Sequence, residues 1–251
     1  MSGHSKWSTI KRKKAVVDAK RGKIFTRMAR EITVAAREGG GDPDTNFRLR
    51  LAIDKARAGN MPKDNIERAT ARGTGSGGKG MTLEEVTYEA YASHGVALLV
   101  QTLTDNRNRT VAEVRHATGK HGGSLADAGS VAWQFERKGY IAIEPDGVDA
   151  DAVFENAVEA GAEDVIISND LIEVYALVND FRPVQEALES SGVNFATAEL
   201  AMTPKNTLQL EANAAFKVMR LIEALEDLDD VQQVYSNLHI TDELMTQYET
   251  A

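Results

Sequence analysis

Apolar residues in the first third of the chain recur at the spacing of amphipathic helices. Between residues 15 and 38 they fall three or four positions apart, and the glycines at 39–41 end this pattern. A second helix is predicted from residue 45 or 46 to residue 58. A third helix begins near Pro62, with Asp64 as its N-cap and a glutamate at the capping-box position. The pattern therefore predicts a small, all-helical N-terminal domain.

The spacing becomes that of strands after residue 80. The predicted elements are strands at 82–92, 95–104 and 130–135 and a helix at 110–119 that opens with a T-x-x-E capping box. In the third strand Trp133 and Phe135 share a face, because side chains alternate at period two. A later helix at 211–225 and a strand at 231–236 would complete the sheet that begins at residue 82.

Residues 139–203 show their own alternation of strands and helices, in the order βαββαβ. The predicted strands are 140–143, 164–168, 171–178 and 193–200, and the predicted helices are 149–160 and 182–191. Asn169 and Asp170 form a two-residue turn, which makes the two middle strands a hairpin. This order is that of the split βαβ, ferredoxin-like arrangement.

Together these elements predict an α+β protein in which a basic helical domain is followed by two α/β domains, at least one of them ferredoxin-like. The stretch GTGSGGKG has the composition of a flexible linker and marks a domain boundary. We expect a flexible basic arm at 1–14, a helical domain at 15–72, the linker at 73–80, a discontinuous α+β middle domain at 81–136 plus 205–240, an inserted ferredoxin-like domain at 137–204 and an acidic tail at 241–251.

Charge is divided unequally along the chain. The first 80 residues carry 19 Lys and Arg against 8 Asp and Glu, whereas the rest carries 10 against 30. A basic segment on an acidic body indicates two surfaces with different partners, and a polyanion such as RNA or DNA fits the first. There is no cysteine, which excludes disulfides, and the longest apolar run, residues 96–100, is too short to span a membrane. We therefore expect a cytoplasmic protein that needs no membrane.

The strongest candidate contacts with nucleic acid lie in the arm and the first helix. Arm cations would pair with phosphates while Trp7 stacks on a base; alternatively the arm is a solvated tail whose tryptophan packs back on the helical domain. The helix carries a stripe of cations that would follow a phosphate backbone or simply face solvent. The candidate residues are His4, Ser5, Lys6, Trp7, Lys11, Arg12, Lys13, Lys14, Lys20, Arg21, Lys23, Arg27 and Arg30.

A second candidate contact is the loop TDNRNRT between a buried strand and a helix N-terminus. Backbone N–H groups there favour anions, and Arg107 and Arg109 would form a fork for a phosphate or carboxylate. The loop could equally be internal bracing, with Asp105 holding an arginine and an asparagine closing the turn. The loop residues are Asp105, Asn106, Arg107, Asn108, Arg109 and Thr110.

Signals for catalysis are weak. Asp105, His116 and His121 could be grouped as acid, base or metal ligands, but the two histidines are five residues apart, not the four of a helical metal pair. The stretch from Gly73 to Lys79 is similar to a phosphate-binding loop, but glycine stands where that loop needs Ser or Thr. We therefore expect no catalytic residue, no metal ion and no cofactor.

Five strings of the chain resemble the YebC/PmpR family: GHSKW at 3–7, KRKK at 11–14, MPKDNIERA at 61–69, TDNRNRT at 104–110 and GSVAWQFERKG at 129–139. The resemblance implies a three-domain, non-enzymatic protein, historically labelled a transcriptional regulator and more recently viewed as a ribosome-associated translation factor that relieves stalling at proline-rich stretches. The family's mitochondrial relative is described as a translational activator of cytochrome oxidase. The chain departs from the family at residues 92–95, ASHG, where a GPGG-like turn is usual.

On this basis the expected function is that of a translation factor without chemistry of its own. Its partners would be the ribosome, through ribosomal RNA, and peptidyl-tRNA; the arm and the Arg107/Arg109 loop would reach between RNA elements. The alternative is a DNA-binding transcriptional regulator, although the glycine-rich loop after the first helix is longer than the turn of a helix-turn-helix motif. We expect a monomer.

Overall fold

The computed structural model describes residues 18–76 and 83–250, and its first three helices form one packed cluster. They are α1 (Asp18–Gly39), α2 (Phe47–Ala58) and α3 (Lys63–Gly73). The buried side chains of Ile32, Leu49 and Ile66 bring one apolar face from each helix into a common core. The amphipathic spacing read from the sequence therefore corresponds to real helices with a shared core.

Asn46 joins the end of α1 to the start of α2. Its side-chain oxygen accepts a hydrogen bond from the backbone N–H of Leu49 at 3.1 Å, so that it caps α2. Its side-chain nitrogen donates to the carbonyl oxygens of Ala35 and Gly40, both at 2.8 Å. One buried amide thus satisfies backbone groups at two helix ends.

The start of α3 differs from the prediction. Pro62, not Asp64, occupies the N-cap position, and Asp64 lies in the first turn of the helix. A proline suits this place because its fixed φ, here −58°, leads directly into a helix and its missing N–H costs no helical hydrogen bond. The carboxylate of Asp64 still lies beside the positive end of the helix dipole.

The first sheet contains strands from both ends of the sequence. Strands β1 (Glu84–Tyr91), β2 (Ala97–Thr104) and β3 (Ser124–Ala126) are joined by β8 (Val231–Ser236) in the order β3-β1-β2-β8. Helices α4 (Arg107–Lys120) and α7 (Ala212–Glu226) belong to the same compact unit as this sheet. The expectation that the late strand completes the sheet begun near residue 82 is confirmed.

Two local predictions in this region are wrong. Helix α4 begins three residues early, because Asn106 caps it by accepting a hydrogen bond from the N–H of Arg109 at 3.1 Å, and Thr110 is buried inside the helix. Residues 130–134 are not a strand but a turn and the short 3-10 helix Ala132–Gln134. As a result Trp133 is exposed while Phe135 is buried, and they do not share a face.

The second sheet is ferredoxin-like, as predicted. Its elements are β4 (Phe135–Ile143), α5 (Ala150–Glu159), β5 (Asp164–Ile167), β6 (Ile172–Ala176), α6 (Phe181–Ser190) and β7 (Phe195–Pro204), with the strand order β5-β6-β4-β7. Asn169 and Asp170 make the hairpin turn between β5 and β6, flanked by a 3.0 Å hydrogen bond from the N–H of Ser168 to the carbonyl oxygen of Leu171. Residues 135–203 form one compact unit, and the other described residues form a second one.

The end of the chain, expected to be a peripheral tail, forms helix α8 (Asp242–Thr250). Leu244 and Met245 are buried. The ring of Tyr248 packs edge-on against Phe216, with 5.3 Å between the centroids, and its hydroxyl donates to Glu223 at 2.9 Å. Burial, together with this carboxylate, raises the pKa of Tyr248. Among residues 18–76 and 83–250 no helix is long and apolar enough to cross a membrane.

Candidate nucleic-acid interface

Part of the predicted nucleic-acid contact lies outside the described residues. This applies to all eight arm residues, His4 to Lys14, and to the side chains of Lys20 and Arg21 at the start of α1. Their contact with nucleic acid stays a prediction from the sequence. The geometry of the candidate interface is therefore that of Lys23, Arg27 and Arg30 and of the loop that precedes α4.

These three cations of α1 contact the turn between α7 and β8, residues 227–230. Lys23 lies 3.1 Å from a carboxylate oxygen of Asp229. Arg27 donates to a carbonyl oxygen of the turn at 3.3 Å, and Arg30 donates to the carbonyl oxygen of Asp229 at 2.8 Å. The three side chains therefore bind the end of a helix that lies about 200 residues downstream in the sequence.

The chemistry of the turn explains this contact. The last carbonyl groups of a helix lack partners within the helix and carry the negative end of its dipole, so that cations are favoured there. Burial lowers the pKa of Arg27, although Glu226, Asp227 and Asp229 oppose this shift. An arginine keeps its charge in such a place. Lys23, Arg27 and Arg30 thus face another part of the same chain and are partly buried against it.

Asp230 organises the neighbouring loop. Its buried carboxylate accepts hydrogen bonds from Thr104 at 3.1 Å, from Thr110 at 2.7 Å and from Arg109 at 2.6 Å on one oxygen. The other oxygen lies 3.0 Å from Nη1 of Arg30. Burial would raise the pKa of Asp230, but the hydrogen bonds from Arg109, Thr110 and Thr104 outweigh it and hold the pKa below its usual value. Nothing in the local sequence pattern around Asp230 marks it as a functional or structural centre.

In the loop itself, internal bracing accounts for most side chains. Arg109 donates to Asp105 at 2.8 Å as well as to Asp230, and Asn106 is the N-cap of α4. Arg107 extends further, with 65% of its side chain exposed and Glu84 at 3.1 Å. Asn108 is exposed. Arg107 is therefore the loop cation best placed to meet a partner, whereas Arg109 is held by two carboxylates.

The surface of α3 carries charges of both signs. Its exposed cations include Lys63 and Arg72, and Lys63 lies 3.6 Å from Glu67. Beside α3 is a cleft of about 530 Å³ with an apolar floor that includes Ile53 and Ile66. The surface of α3 is therefore less basic than the sequence of the arm, residues 1–14, which holds five Lys and Arg and no Asp or Glu.

The connection between α2 and α3 is much shorter than that between α1 and α2. It consists of residues 59–62, whereas the glycine-rich loop after α1 runs from residue 40 to residue 46. Asn60 adopts a left-handed conformation with φ 58°, and the N–H of Met61 donates to the carbonyl oxygen of Ala56 at 2.9 Å. Gly59 packs against the end of the Met28 side chain, which would have to move to admit a Cβ at this position. Four residues including a glycine is the usual length of a helix-turn-helix turn.

The grouping of Asp105, His116 and His121 does not form in the structure. Asp105 is engaged by Arg109, His116 is exposed on α4, and His121 is the C-cap of that helix. Within the part of the chain that the structure describes, no cluster of three or more His, Cys, Asp or Glu is arranged to hold a metal ion.

Comparison with known proteins gives matches over nearly the whole chain. A family profile described as the TACO1/YebC protein N-terminal domain matches residues 5–76, and one described as the TACO1/YebC second and third domain matches residues 83–238. The chain is 56% identical over 249 residues to a protein from Acidithiobacillus ferrooxidans and 51% identical over 247 residues to one from Rubrobacter xylanophilus. These alignments cover 99% and 98% of this chain and 99% of each relative, and both relatives are named probable transcriptional regulatory proteins.

A solved structure is also similar. The crystal structure of a conserved hypothetical protein from Aquifex aeolicus superimposes with a TM-score of 0.84 at 47% sequence identity. The match covers 91% of this chain and 94% of that one. The α+β architecture described above is therefore shared with an experimentally determined structure.

Proposed function

Since the chain belongs to the TACO1/YebC family, we propose that it regulates gene expression by binding nucleic acid and that it catalyses no reaction of its own. The observation that carries this proposal is the charge of the N-terminal segment. Residues 1–37 hold eleven Lys and Arg against two Asp and Glu, in a chain whose net charge is −9. So dense a cluster of cations on an acidic protein favours a phosphate backbone as its ligand.

The contacts on α1 narrow the part of this segment that binds. Lys23, Arg27 and Arg30 are engaged by residues 227–230, which leaves the cations of residues 6–14 as the main candidates for phosphate contact. Trp7 lies among them and supplies an aromatic face on which a base can stack. In this proposal the described helices are the base from which the arm extends.

DNA is the first candidate target. The names of the relatives from Acidithiobacillus ferrooxidans and Rubrobacter xylanophilus favour it, and so does the four-residue turn between α2 and α3. In a helix-turn-helix arrangement α3 would enter the major groove and its exposed first-turn residues, such as Lys63, would contact bases. The activity would then be transcriptional regulation.

Structured RNA of the ribosome is the second candidate target. The mixed charge of α3 is a poor match to DNA, whereas an arm with five cations, a histidine and a tryptophan has the residue types that contact phosphates and stack on unpaired bases in RNA. The activity would then be that of a translation factor acting at stalled ribosomes, consistent with the family resemblance carried by strings such as TDNRNRT and GSVAWQFERKG.

One experiment separates the two targets. The protein is mixed at physiological salt with ribosomes and, separately, with a library of genomic DNA fragments, and an in vitro translation reaction with a proline-run reporter is followed in parallel. Retention on ribosomes with relief of the stall supports the RNA target. Selective retention of particular DNA fragments at the same salt supports the DNA target, because weak non-specific binding is lost there.

A matched pair of variants tests whether the arm makes the contact. The first replaces Lys11, Arg12, Lys13 and Lys14 by alanine; the second replaces the exposed residues Arg115, Lys120, Arg137 and Lys205, and so removes the same charge from the acidic part. We expect the first variant to bind more weakly. On duplex DNA, the slope of log K against log salt concentration should become shallower by about 0.9 for each lost phosphate contact. Equal losses in both variants would mean that net charge, not the arm, governs binding.

A further inference from the structure

Trp133 is an exposed tryptophan held in one orientation. The chain has only two tryptophans, and 66% of the surface of this one is accessible. It lies on the 3-10 helix Ala132–Gln134, and its indole N–H donates to the carbonyl oxygen of Ser130 at 2.9 Å. The hydroxyl of Tyr91 donates to the same oxygen at 2.9 Å. Because its only polar group is already bonded, the indole presents a purely apolar π-face to solvent.

A buried carboxylate fixes the loop that carries Trp133. Glu89 on β1 is 9% exposed and accepts hydrogen bonds from the backbone N–H groups of Gly129 at 2.6 Å, Val131 at 2.5 Å and Ala132 at 2.9 Å. Three donors converging on one carboxylate hold the backbone that leads into Trp133. An aromatic side chain fixed in this way loses little conformational entropy when a partner covers it.

We propose that Trp133 is the anchor of a protein-binding surface, and that a cationic side chain of a basic partner packs on its indole face. Large exposed aromatic residues with restricted motion are typical centres of protein interfaces. Lysine and arginine are attracted to the face of an indole, which carries the negative part of the ring quadrupole. The class of partner differs from the nucleic acid that is proposed to bind the arm.

The charge of the surrounding domain supports a basic protein as this partner. Segments 83–134 and 204–250, which supply the first sheet and its helices, together hold 7 Lys and Arg against 15 Asp and Glu. Such a field repels a polyanion and attracts a polycation before contact is made. A nucleobase could stack on the same ring, but its phosphates would have to approach segments of net negative charge. The observations therefore favour a cationic protein segment.

Tryptophan fluorescence tests the proposal directly. In a Trp7→Phe variant Trp133 is the only tryptophan, so its emission reports on this surface alone. The variant is titrated at physiological salt with a nine-residue arginine peptide and, in parallel, with a nine-residue glutamate peptide and a thymidine oligonucleotide. We expect a saturable change in emission and protection from acrylamide quenching with the arginine peptide only. Protection by the oligonucleotide instead, or no protection by any of the three, would overturn the proposal.

Affinity measurements separate the indole from general electrostatics. The Kd of a fluorescein-labelled arginine peptide is measured by anisotropy for the wild-type chain, Trp133→Ala, Trp133→Phe and Phe154→Ala. Phe154 is a matched control because it is also an exposed aromatic residue, 45% accessible, in the acidic unit of residues 135–203. We expect Trp133→Ala to weaken binding about three- to tenfold, Trp133→Phe to weaken it less, and Phe154→Ala to leave it unchanged.

Two readouts keep the result interpretable. Because the indole is mostly exposed, Trp133→Ala opens no cavity, and its circular dichroism and Tm should match those of the wild-type chain. Equal peptide affinity in Trp133→Ala and wild type would show that the acidic field alone attracts the peptide, and the anchoring role would be rejected.

Discussion

Arg30 and Asp230, two hundred residues apart in sequence, form an ion pair with 3.0 Å between Nη1 and Oδ1. Only 18% of the arginine side chain and 2% of the aspartate side chain are exposed. The pair links α1 to the turn before β8, and Asp230 also binds Thr104, Thr110 and Arg109. One carboxylate therefore connects α1, the end of β2 and the first turn of α4 to the turn before β8.

We predict that Asp230→Asn lowers the free energy of unfolding by about 3 kcal/mol, because removing one partner of a buried ion pair leaves the other charge uncompensated. Urea unfolding followed by circular dichroism measures the change. Asp229→Asn is the control: its side chain is 78% exposed and its pair with Lys23 should contribute less than about 1 kcal/mol. Similar losses in both variants would argue against a special role for Asp230.

Glu89 should make stability depend on pH. Burial would raise its pKa, but the N–H groups of Gly129, Val131 and Ala132 outweigh burial and hold the pKa below its usual value of 4.5. A lowered pKa in the folded state means that the carboxylate stabilises fully above the unfolded pKa and loses this contribution as pH falls through the folded value.

The test compares the wild-type chain with Glu89→Gln from pH 7 to pH 3. The variant should be less stable at pH 7, and the difference in the free energy of unfolding should shrink as the pH falls below about 4.5. The emission of Trp133 in a Trp7→Phe background should also become more sensitive to temperature, because the loop loses its anchor. A difference in stability that is constant across this range would contradict the assigned role of the charge.

We predict that Asn46→Ala lowers the free energy of unfolding by about 2 kcal/mol. The substitution removes both the N-cap of α2 and the side-chain hydrogen bonds to the end of α1. Thermal unfolding of the whole chain measures the change in Tm. Asn108→Ala, an exposed residue of α4, is the comparison and should shift stability by less than about 0.5 kcal/mol. Equal shifts would indicate a general cost of removing asparagine from a helix.

Gly73 lies where α3 packs closely against α1, and substitutions there test this contact. A Cβ at Gly73 would lie 2.4 Å from the carbonyl oxygen of Thr33 and 2.6 Å from the Cβ of Ala36, so Gly73→Ala should destabilise by about 1 to 3 kcal/mol. Gly22→Ala lies in α1 with no atom within 4 Å of the new Cβ, and helix propensity alone should stabilise by up to about 1 kcal/mol. Changes of opposite sign in the free energy of unfolding, measured in urea, would support the close packing of α1 and α3. A Gly73→Ala variant more stable than the wild type would refute it.

Helices and the ferredoxin-like order were predictable because they rest on local patterns. Asn46, the spacing of α1 and the turn at Asn169 and Asp170 each depend on residues within a few positions of one another. The predicted starts of α3 and α4 were wrong because of local capping by Pro62 and Asn106, whereas the predicted strand at 130–135 was wrong because a distant residue decides the local structure. Residues 130–134 do not form a strand because Glu89, about 40 residues earlier, accepts hydrogen bonds from the N–H groups of Gly129, Val131 and Ala132.

The candidate interface shows the same division. The excess of cations in the first 80 residues is a property of the sequence, and so is the choice of a polyanion as its ligand. The sequence does not show which of those cations face solvent, because the acceptors of Lys23, Arg27 and Arg30 lie at residues 227–230. Cations that would be exposed on an isolated helix are partly buried here by a segment about 200 residues downstream.

By itself, then, the sequence of this protein determined its α+β class, the helical periodicity of its N-terminal region, the βαββαβ order of residues 135–203 and the separation of basic and acidic segments. These follow from side-chain periodicity and charge, which act over a few residues or over a whole segment. Only the tertiary structure decided that Asp230 holds Arg30 and Arg109, and that Trp133 lies exposed after a loop held by Glu89. Such pairings depend on which distant backbone groups the fold brings within hydrogen-bond distance, and no local pattern encodes them.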